Sequence, residues 1–363
     1  MRVPKLVIGQ LEFQLPIVQG AMGVQVSSYP LPAVVTNEGG LGTITSIALG
    51  DHNSGHDDFL RVSHEELERE IARCTGLARK PMAVNVMGAL SNVHDLIVTA
   101  VKSGAKIIVY GAGIPKDLPE IVPDPSVNLV PIISSAKLAD ILLRLWKRRY
   151  ERAPDAFIVE GPLAGGHLGF SQEQLDNPKE FFLEKILQEV LAVVRPYEQT
   201  LGRRIPIIAA GGIYTGADAA RMLSLGAAGV QLGTRFVATH ECPVAPEFKQ
   251  AYLEAKEEDV VIIRSPVGLL GRVLKSNGFL AKVAAKQVQM RCPCHCIKSC
   301  DIKRAGFCIL KALFNAKNGR LEDGLIFVGA NVRRVNSIVS VKELMAELVE
   351  GIKLSPLTLP PLA

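Results

Sequence analysis

The sequence lacks the features that mark membrane and secreted proteins. It contains no run of about 18 apolar residues, so no transmembrane helix is predicted. Its N-terminal stretch, MRVPKLVIGQLEFQLP, has neither a long apolar segment nor a small-residue cleavage site, so no signal peptide is predicted. These absences predict a cytoplasmic protein and exclude a membrane from its expected partners.

An excess of charge of one sign is also absent. The chain has 41 Lys and Arg residues against 36 Asp and Glu residues, a net charge of +5 over 363 residues. The basic residues are scattered, apart from short runs at 147–149, 203–204 and 333–334. Such short runs are typical of solvated helix ends and argue against a nucleic-acid partner. Hydrophobic residues make up 48% of the chain and mean hydropathy is +0.23, which is ample for a sizeable core.

Eight short apolar runs recur along the first two thirds of the chain. Nearly continuous apolar runs are typical of strands that are covered on both faces, and helical patterns separate them here. Eight such β–α repeats predict a (β/α)8 TIM barrel, with a doubly wound sheet as the alternative. The predicted strands span residues 16–20, 41–45, 82–87, 106–111, 128–133, 156–161, 205–212 and 229–234.

Capping residues predict where two of the helices begin and end. Thr215 and Gly226 are expected to start and end the helix between the last two strands. Ser340 and Glu343 form a capping-box pattern near the end of the chain, and Gly351 is expected to end the helix that follows.

A polar segment follows the second predicted strand. His52, His56 and His64 lie in it at a spacing that matches no metal site, so we expect a solvated loop that covers the site. Ser63 and Glu66 form a capping-box pattern, which predicts that the next helix begins there.

Glycine occurs at the carboxyl ends of most predicted strands, which in a TIM barrel carry the functional site. Glycine lets the backbone approach a bound molecule closely. The stretch 160–170, EGPLAGGHLGF, therefore predicts a large flat ligand beside His167, although a tight turn that happens to contain a histidine is the alternative. Glu160, at the end of its strand, would need a partner if it is buried. Barrels commonly bind phosphate at the loops after the last two strands, which predicts phosphate contacts from Gly211, Gly212, Gly233 and Thr234.

Seven motifs occur along the chain in the order seen in one enzyme family. They are PIVQGAMG, AVNV, YGAG with Pro115, VEGPLAGGHLG, IIAAGGI, GAAGVQLGTRF and VGANVRRVNSIVSVKELMAELV. By these motifs the chain resembles the nitronate monooxygenase (2-nitropropane dioxygenase) family of FMN enzymes, which includes enoyl-acyl-carrier-protein reductase II. The similarity covers about residues 10 to 350, apart from a cysteine-rich segment.

The resemblance implies that FMN binds at the C-terminal mouth of the barrel. His167 would face the substrate, as a catalytic base in monooxygenases or as a positioning group in reductases, and imidazole suits both roles near neutral pH. The implied flavin contacts are Gly20, Ala21, Met22 and Gly23 beside the ring, Asn85 hydrogen-bonded to it, and Gly165 and Gly166 under the ring or the ribityl chain.

The implied activity is oxidation of alkyl nitronates or nitroalkanes with O2. The alternative is NAD(P)H-dependent reduction of an activated double bond, as in an enoyl thioester, or of a quinone. The sequence lacks a separate dinucleotide fingerprint, but nicotinamide can stack on a flavin in the same pocket. A non-catalytic flavin- or phosphate-binding sensor is the remaining alternative. The expected partners are a small-molecule substrate and, as one option, a second copy of the chain in a homodimer.

Five of the seven cysteines lie between residues 291 and 308, a cluster that the resemblance does not explain. Clustered cysteines in a cytosolic protein indicate metal or redox chemistry rather than disulfides, and the spacing is not that of a zinc ribbon. We predict a [4Fe–4S] cluster, with zinc, redox-active thiols or no ligand as alternatives. The predicted ligands are Cys292, Cys296, Cys300 and Cys308, with Cys294 and His295 as substitutes.

The predicted organisation places these features in four consecutive segments. They are an FMN-binding barrel over 1–238, a cap segment over 239–325 with the cysteine-rich loop at 291–308, a return segment and helix over 326–352, and a proline-rich tail over 353–363.

Overall fold

The computed structural model describes residues 2–50, 53–177 and 180–355. Its strands are β1 (Leu6–Ile8), β2 (Leu11–Phe13), β3 (Ile17–Gln19), β4 (Thr43–Thr45), β5 (Ala83–Met87), β6 (Ile107–Gly111), β7 (Asn128–Ile133), β8 (Phe157–Glu160), β9 (Gly166–Leu168), β10 (Ile207–Ala210), β11 (Gly229–Leu232), β12 (Val260–Arg264) and β13 (Leu270–Leu274). Its α-helices are α1 (Leu31–Asn37), α2 (His56–Leu77), α3 (Val93–Lys102), α4 (Leu118–Ile121), α5 (Ala136–Tyr150), α6 (Gln172–Asp176), α7 (Leu183–Leu201), α8 (Gly216–Ser224), α9 (Thr234–Val237), α10 (Pro246–Glu254), α11 (Phe279–Ala284), α12 (Ile309–Lys317) and α13 (Val341–Leu354).

Eight parallel strands form a closed barrel in the order β3, β11, β10, β8, β7, β6, β5, β4. The barrel closes where Val18 forms a parallel bridge with Leu41, just before β4, and the Gln19 amide donates to the Leu41 carbonyl at 2.9 Å. Each strand lies within one of the eight predicted apolar runs, so the predicted TIM barrel is confirmed. The doubly wound alternative is wrong, because such a sheet would stay open at both edges.

The amino-terminal end of the barrel is covered by the β1–β2 hairpin. Leu6, Ile8 and Phe13 from this hairpin are buried in one apolar cluster with interior residues of the barrel strands. Gly9, in the hairpin turn, packs against Asn128 at the start of β7. Because this end is filled by apolar side chains, the carboxyl ends of the strands remain for ligand binding.

The helices around the barrel confirm most of the capping predictions. Thr215 caps α8 in a reciprocal capping box with Asp218, and Gly226 follows its end at φ +103°. Ser340 caps α13 as predicted, but Gly351 does not end that helix, which continues to Leu354. The reason is packing: a Cβ on Gly351 would lie 2.8 Å from the Cα of Gly216, so this glycine lets α13 cross α8 closely.

The predicted helix start at residue 63 is wrong. Helix α2 begins at His56, and Ser63 lies buried inside it with its hydroxyl donating to the Phe59 carbonyl at 2.6 Å. The segment expected to be a solvated loop is therefore helical from His56 onward. The prediction failed because a serine hydroxyl can bond to the carbonyl four residues earlier inside a helix as well as cap a helix start. His64 contacts Thr99 at 3.0 Å, so it is not a lid residue. His52 lies outside the described residues.

A second, antiparallel sheet forms part of the cap at the barrel mouth. β9 follows β8 and pairs with β13, which in turn pairs with β12. The return segment runs beside β13, where the Leu274 amide donates to the Ile326 carbonyl at 3.0 Å. Since α13 extends to Leu354, the tail predicted from residue 353 begins inside a helix, and residues 356–363 lie outside the described part. None of the described helices is long and apolar enough to span a bilayer.

Candidate active site

One cavity, of about 260 Å3, collects all twelve residues that the sequence indicated as flavin or substrate contacts. It lies at the carboxyl ends of the barrel strands and continues under the cap. Because parallel strands all end at this rim, motifs far apart in the sequence meet there. The residues brought together are Gly20, Ala21, Met22, Gly23, Asn85, Gly165, Gly166, His167, Gly211, Gly212, Gly233 and Thr234.

Glycine is required where the barrel backbone meets the return segment. A Cβ on Gly165 would lie 2.7 Å from both the carbonyl oxygen of Val328 and the amide nitrogen of Gly329. Both contacts are with backbone atoms, which cannot rotate away as a side chain would. Gly165 is therefore required by the packing of the return segment. A Cβ on the next residue, Gly166, would meet nothing within 4 Å, so the cavity is open there.

The predicted phosphate loops also meet the return segment. Gly211 and Gly212 have φ values of +96° and +83°, which favour glycine. The Asn331 side chain donates to the Gly212 carbonyl at 2.6 Å, and the Gly329 amide donates to the Thr234 hydroxyl at 3.3 Å. The return segment thus holds both loops in place.

His167 lies in the cavity wall on β9, opposite Gly271 of β13. Its Nε2 atom is 2.8 Å from the Ser265 hydroxyl, and its ring meets the edge of Phe327 at 4.8 Å between centroids. Burial lowers the pKa of His167 from 6.5 to about 4, because the charged imidazolium loses its hydration. The ring is therefore neutral at pH 7 and able to accept a proton.

Glu160 and Arg272 are two ionisable groups beside the cavity whose charges act on each other. Glu160 lines the cavity, where burial raises its pKa to about 8 and the positive charge of Arg272 lowers it in part. Burial also lowers the pKa of Arg272, whose guanidinium donates to the Ala164 carbonyl. The partner that the sequence required for a buried Glu160 is therefore a charge on the cap strand β13.

Arg235 has a structural role that the sequence did not reveal. Its guanidinium makes two hydrogen bonds to the carboxylate of Glu347, at 3.0 and 2.6 Å, and a third to the Tyr214 carbonyl at 3.0 Å. It also lies over the Tyr214 ring, 4.6 Å from the ring centroid. These contacts tie the loop after β11 to α13.

Sequence analysis missed the cap residues that face the cavity. Ser265 and Arg272 contact site residues, and Phe327, Tyr252 and Leu313 line the cavity. The Tyr252 hydroxyl donates to the Phe327 carbonyl at 2.7 Å, which positions the aromatic wall. None of these residues lies in a glycine-rich motif, so the sequence carried no local signal for them.

The cysteine-rich segment packs beside the mouth of the barrel. Its five cysteines are free, and Cys294, Cys296 and Cys308 belong to one apolar cluster with Phe59. In residues 2–50, 53–177 and 180–355, no three His, Cys, Asp or Glu side chains are already arranged to hold a metal ion. The described residues therefore contain no preformed coordination shell for the predicted [4Fe–4S] cluster.

Comparison with known proteins defines the family. The model of the nitronate monooxygenase family matches residues 92–351, more than half of the chain. The chain belongs to the nitronate monooxygenase family. Members of this family are FMN-dependent oxidoreductases, and the open space at Gly166 together with the two glycine loops fits that cofactor.

Individual relatives differ in their chemistry. A (3aS,4S,5R,7aS)-5-hydroxy-7a-methyl-1-oxo-octahydro-1H-indene-4-carboxyl-CoA dehydrogenase of Rhodococcus jostii is 30% identical over 73% of this chain, which spans 64% of that protein's length. A probable nitronate monooxygenase of Staphylococcus saprophyticus is 25% identical over 78% of this chain and 81% of its own length. The structure of FabK from Thermotoga maritima is 26% identical, with a TM-score of 0.73, and the match covers 94% of this chain and 93% of that one.

Proposed function

We propose that this chain oxidises alkyl nitronates or nitroalkanes with O2, with His167 as the base that accepts the substrate proton. The observation that carries the proposal is the position of His167 in the wall of a glycine-lined cavity, with its Nε2 atom 2.8 Å from the Ser265 hydroxyl. Burial there lowers the pKa of the ring and favours its neutral form. The staphylococcal relative named as a probable nitronate monooxygenase supports this choice.

The residues that would hold FMN form three groups. The first, Gly20 to Gly23 with Asn85, would lie beside the ring, and the Asn85 side chain is already fixed by donating to the Val109 carbonyl at 3.3 Å. The second is Gly165 and Gly166, where the cavity is open beside Gly166. The third would bind the phosphate through the loops at 211–212 and 233–234. When bound, FMN supplies the electron acceptor for the substrate carbon.

His167 would accept a proton from the carbon next to the nitro group. Its low pKa keeps the ring neutral before substrate binds, and the negative charge of a nitronate would then raise the pKa and favour the protonated form. Ser265 fixes the ring orientation through Nε2. Phe327 and Tyr252 would exclude water from the same side of the cavity.

A thioester oxidoreductase is the second candidate. The Rhodococcus jostii relative, named as a carboxyl-CoA dehydrogenase, is 30% identical, more than the staphylococcal relative. In this reaction His167 would position an acidic carbon next to a thioester carbonyl, and NAD(P)H would serve as the electron donor in the reductive direction.

An anaerobic titration separates the two candidates. FMN-loaded protein is mixed under argon with NADH, with NADPH or with an alkyl nitronate, and loss of the visible flavin absorbance is followed. Bleaching by the nitronate but by neither nicotinamide is the expected result. Rapid bleaching by NADH or NADPH, with none by the nitronate, would overturn the proposal in favour of the reductase. His167→Ala, with its FMN content checked, should slow bleaching by a neutral nitroalkane more than bleaching by a preformed nitronate.

A further inference from the structure

Four of the five clustered cysteines surround one small cavity in the cap. The cavity holds about 20 Å3 and is lined by Cys292, Cys296, Cys300 and Cys308. These are the four residues chosen as ligands from the sequence. Cys294, one of the two substitutes, is fully buried, does not line the cavity and hydrogen-bonds to the side chains of Cys292 and Cys296. His295, the other substitute, does line the cavity, and apolar side chains, including Met290, Ile297 and Ile302, form the rest of the wall.

The segment is held against the barrel by backbone contacts that do not depend on any thiol. Ile297 forms an antiparallel bridge with Leu90, in the loop after β5, and the Ser91 amide donates to the Cys296 carbonyl at 3.0 Å. On the other side, His56 Nδ1 lies 2.7 Å from the Cys294 carbonyl. The four cysteines are therefore brought around the cavity by the backbone.

Four thiols around one cavity form a ligand set that suits a thiophilic metal, and the side chains beside them are mostly apolar. The positive charge of such a metal favours the thiolate form of cysteine. Each cysteine side chain has one torsion, and rotation about it changes where the sulfur points.

We propose that Cys292, Cys296, Cys300 and Cys308 bind a thiophilic metal, either as zinc or as an iron–sulfur cluster, in the cap beside the flavin cavity. Four thiolates are the ligand set that both centres use. The sulfurs do not yet converge as a coordination shell, so binding requires loss of the thiol protons and rotation of the side chains.

The site would stabilise one wall of the flavin cavity. Cys308 immediately precedes α12, and Leu313 of α12 lines the flavin cavity. Ile47 also lines that cavity and packs against the apolar cluster that contains Cys294 and Cys296. Metal at the four cysteines would therefore order the cap next to the cofactor, whichever substrate the enzyme oxidises.

The test is metal analysis of the full-length protein purified without air. Iron, zinc and acid-labile sulfide are measured per chain, before and after reconstitution with Zn2+ or with Fe2+ and sulfide. Near-stoichiometric zinc without sulfide identifies a zinc site, and iron with matching sulfide and a broad visible absorbance identifies a cluster. Either result supports the proposal. Metal at blank level in both the purified and the reconstituted protein overturns it.

Matched variants locate the site. Cys300→Ser should abolish metal binding, whereas Cys242→Ser, at a buried cysteine that does not line the cavity, should retain it. Equal loss in both variants would overturn the assignment. If Cys300→Ser fails to fold, chelation of the wild type replaces it: the chelator should release the metal and lower the melting temperature, and Cys292 and Cys300 should become reactive to a thiol reagent. An unchanged melting temperature and unchanged thiol reactivity after release would contradict the proposed site.

Discussion

The Nε2 atom of His167 lies 2.8 Å from the hydroxyl of Ser265, although 98 positions separate the two residues. The histidine lies on β9, in the stretch that follows barrel strand β8, and the serine lies in the turn after β12 in the cap. The Ser265 hydroxyl also accepts from the Val267 amide at 3.3 Å, so its own position is fixed. The cap therefore does more than cover the site, since it orients the residue on which the proposed chemistry depends.

Ser265→Ala should lower kcat/KM about tenfold, because the loss of a hydrogen bond worth about 1.4 kcal/mol leaves the imidazole free to rotate. Steady-state kinetics with a neutral nitroalkane measures this effect. Ser265→Thr keeps the hydroxyl and should restore most of the activity. FMN content should stay unchanged in both variants. Full activity of Ser265→Ala would show that the contact does not orient His167.

The free energy of unfolding should decrease at acid pH because of His167. Its folded-state pKa of about 4 lies below the ordinary value of 6.5, so the unfolded chain binds the proton more readily. This contribution to stability is complete above pH 6.5 and is lost as the pH falls through about 4. Urea unfolding of the wild type and of His167→Gln across this range measures the difference. The difference in unfolding free energy between the two proteins should change between pH 6.5 and about 4. A difference that stays constant would contradict the lowered pKa.

Glu160 should have the opposite effect at alkaline pH. Its pKa is raised from 4.5 to about 8, so the folded state retains a proton that the unfolded chain has released. Its contribution to stability is complete below pH 4.5 and is lost as the pH rises through about 8. Glu160→Gln is the matched neutral variant. As the pH rises from 4.5 to about 8, its free energy of unfolding should fall less than that of the wild type. Parallel unfolding curves would show that Glu160 is ionised in the folded protein at neutral pH.

Gly165→Ala should weaken FMN binding by at least about tenfold. The added Cβ would meet backbone atoms of Val328 and Gly329 at 2.7 Å, and the return segment would have to shift away from the Thr234 loop. A displacement that costs about 1.4 kcal/mol of binding energy gives this factor. Fluorescence titration of the cofactor-free protein with FMN measures it. Gly76→Ala, where nothing lies within 4 Å of the added Cβ, is the control and should bind FMN normally.

Gly351→Ala should destabilise the fold by about 1–3 kcal/mol, because an added methyl group would overpack the crossing of α13 and α8. The Cβ would lie 2.8 Å from the Cα of Gly216, and a backbone atom cannot move aside alone. Urea unfolding measures the loss. If Gly351→Ala changes the free energy of unfolding no more than Gly76→Ala does, then α13 and α8 can move apart without loss of stability.

Local patterns were sufficient to predict the barrel and the glycine-rich lining of the cavity at its mouth. Eight apolar runs predicted eight strands, and Thr215 and Ser340 marked their helices correctly. The errors arose where one residue type supports two local structures. Ser63 can cap a helix or bond inside one, and Gly351 can end a helix or allow a close crossing. Contacts with distant parts of the chain decided both cases.

The sequence by itself determined the closed barrel and the position of glycines and His167 at one rim, because strand periodicity and strand ends are local properties. The tertiary structure alone decided which cap residues complete the site. Ser265 reaches His167, the charge of Arg272 acts on Glu160, and Gly329 lies on Gly165, and no sequence spacing encodes these relationships. Such pairings depend on how the cap packs on the barrel, which is set by the summed burial of many apolar side chains rather than by any single motif.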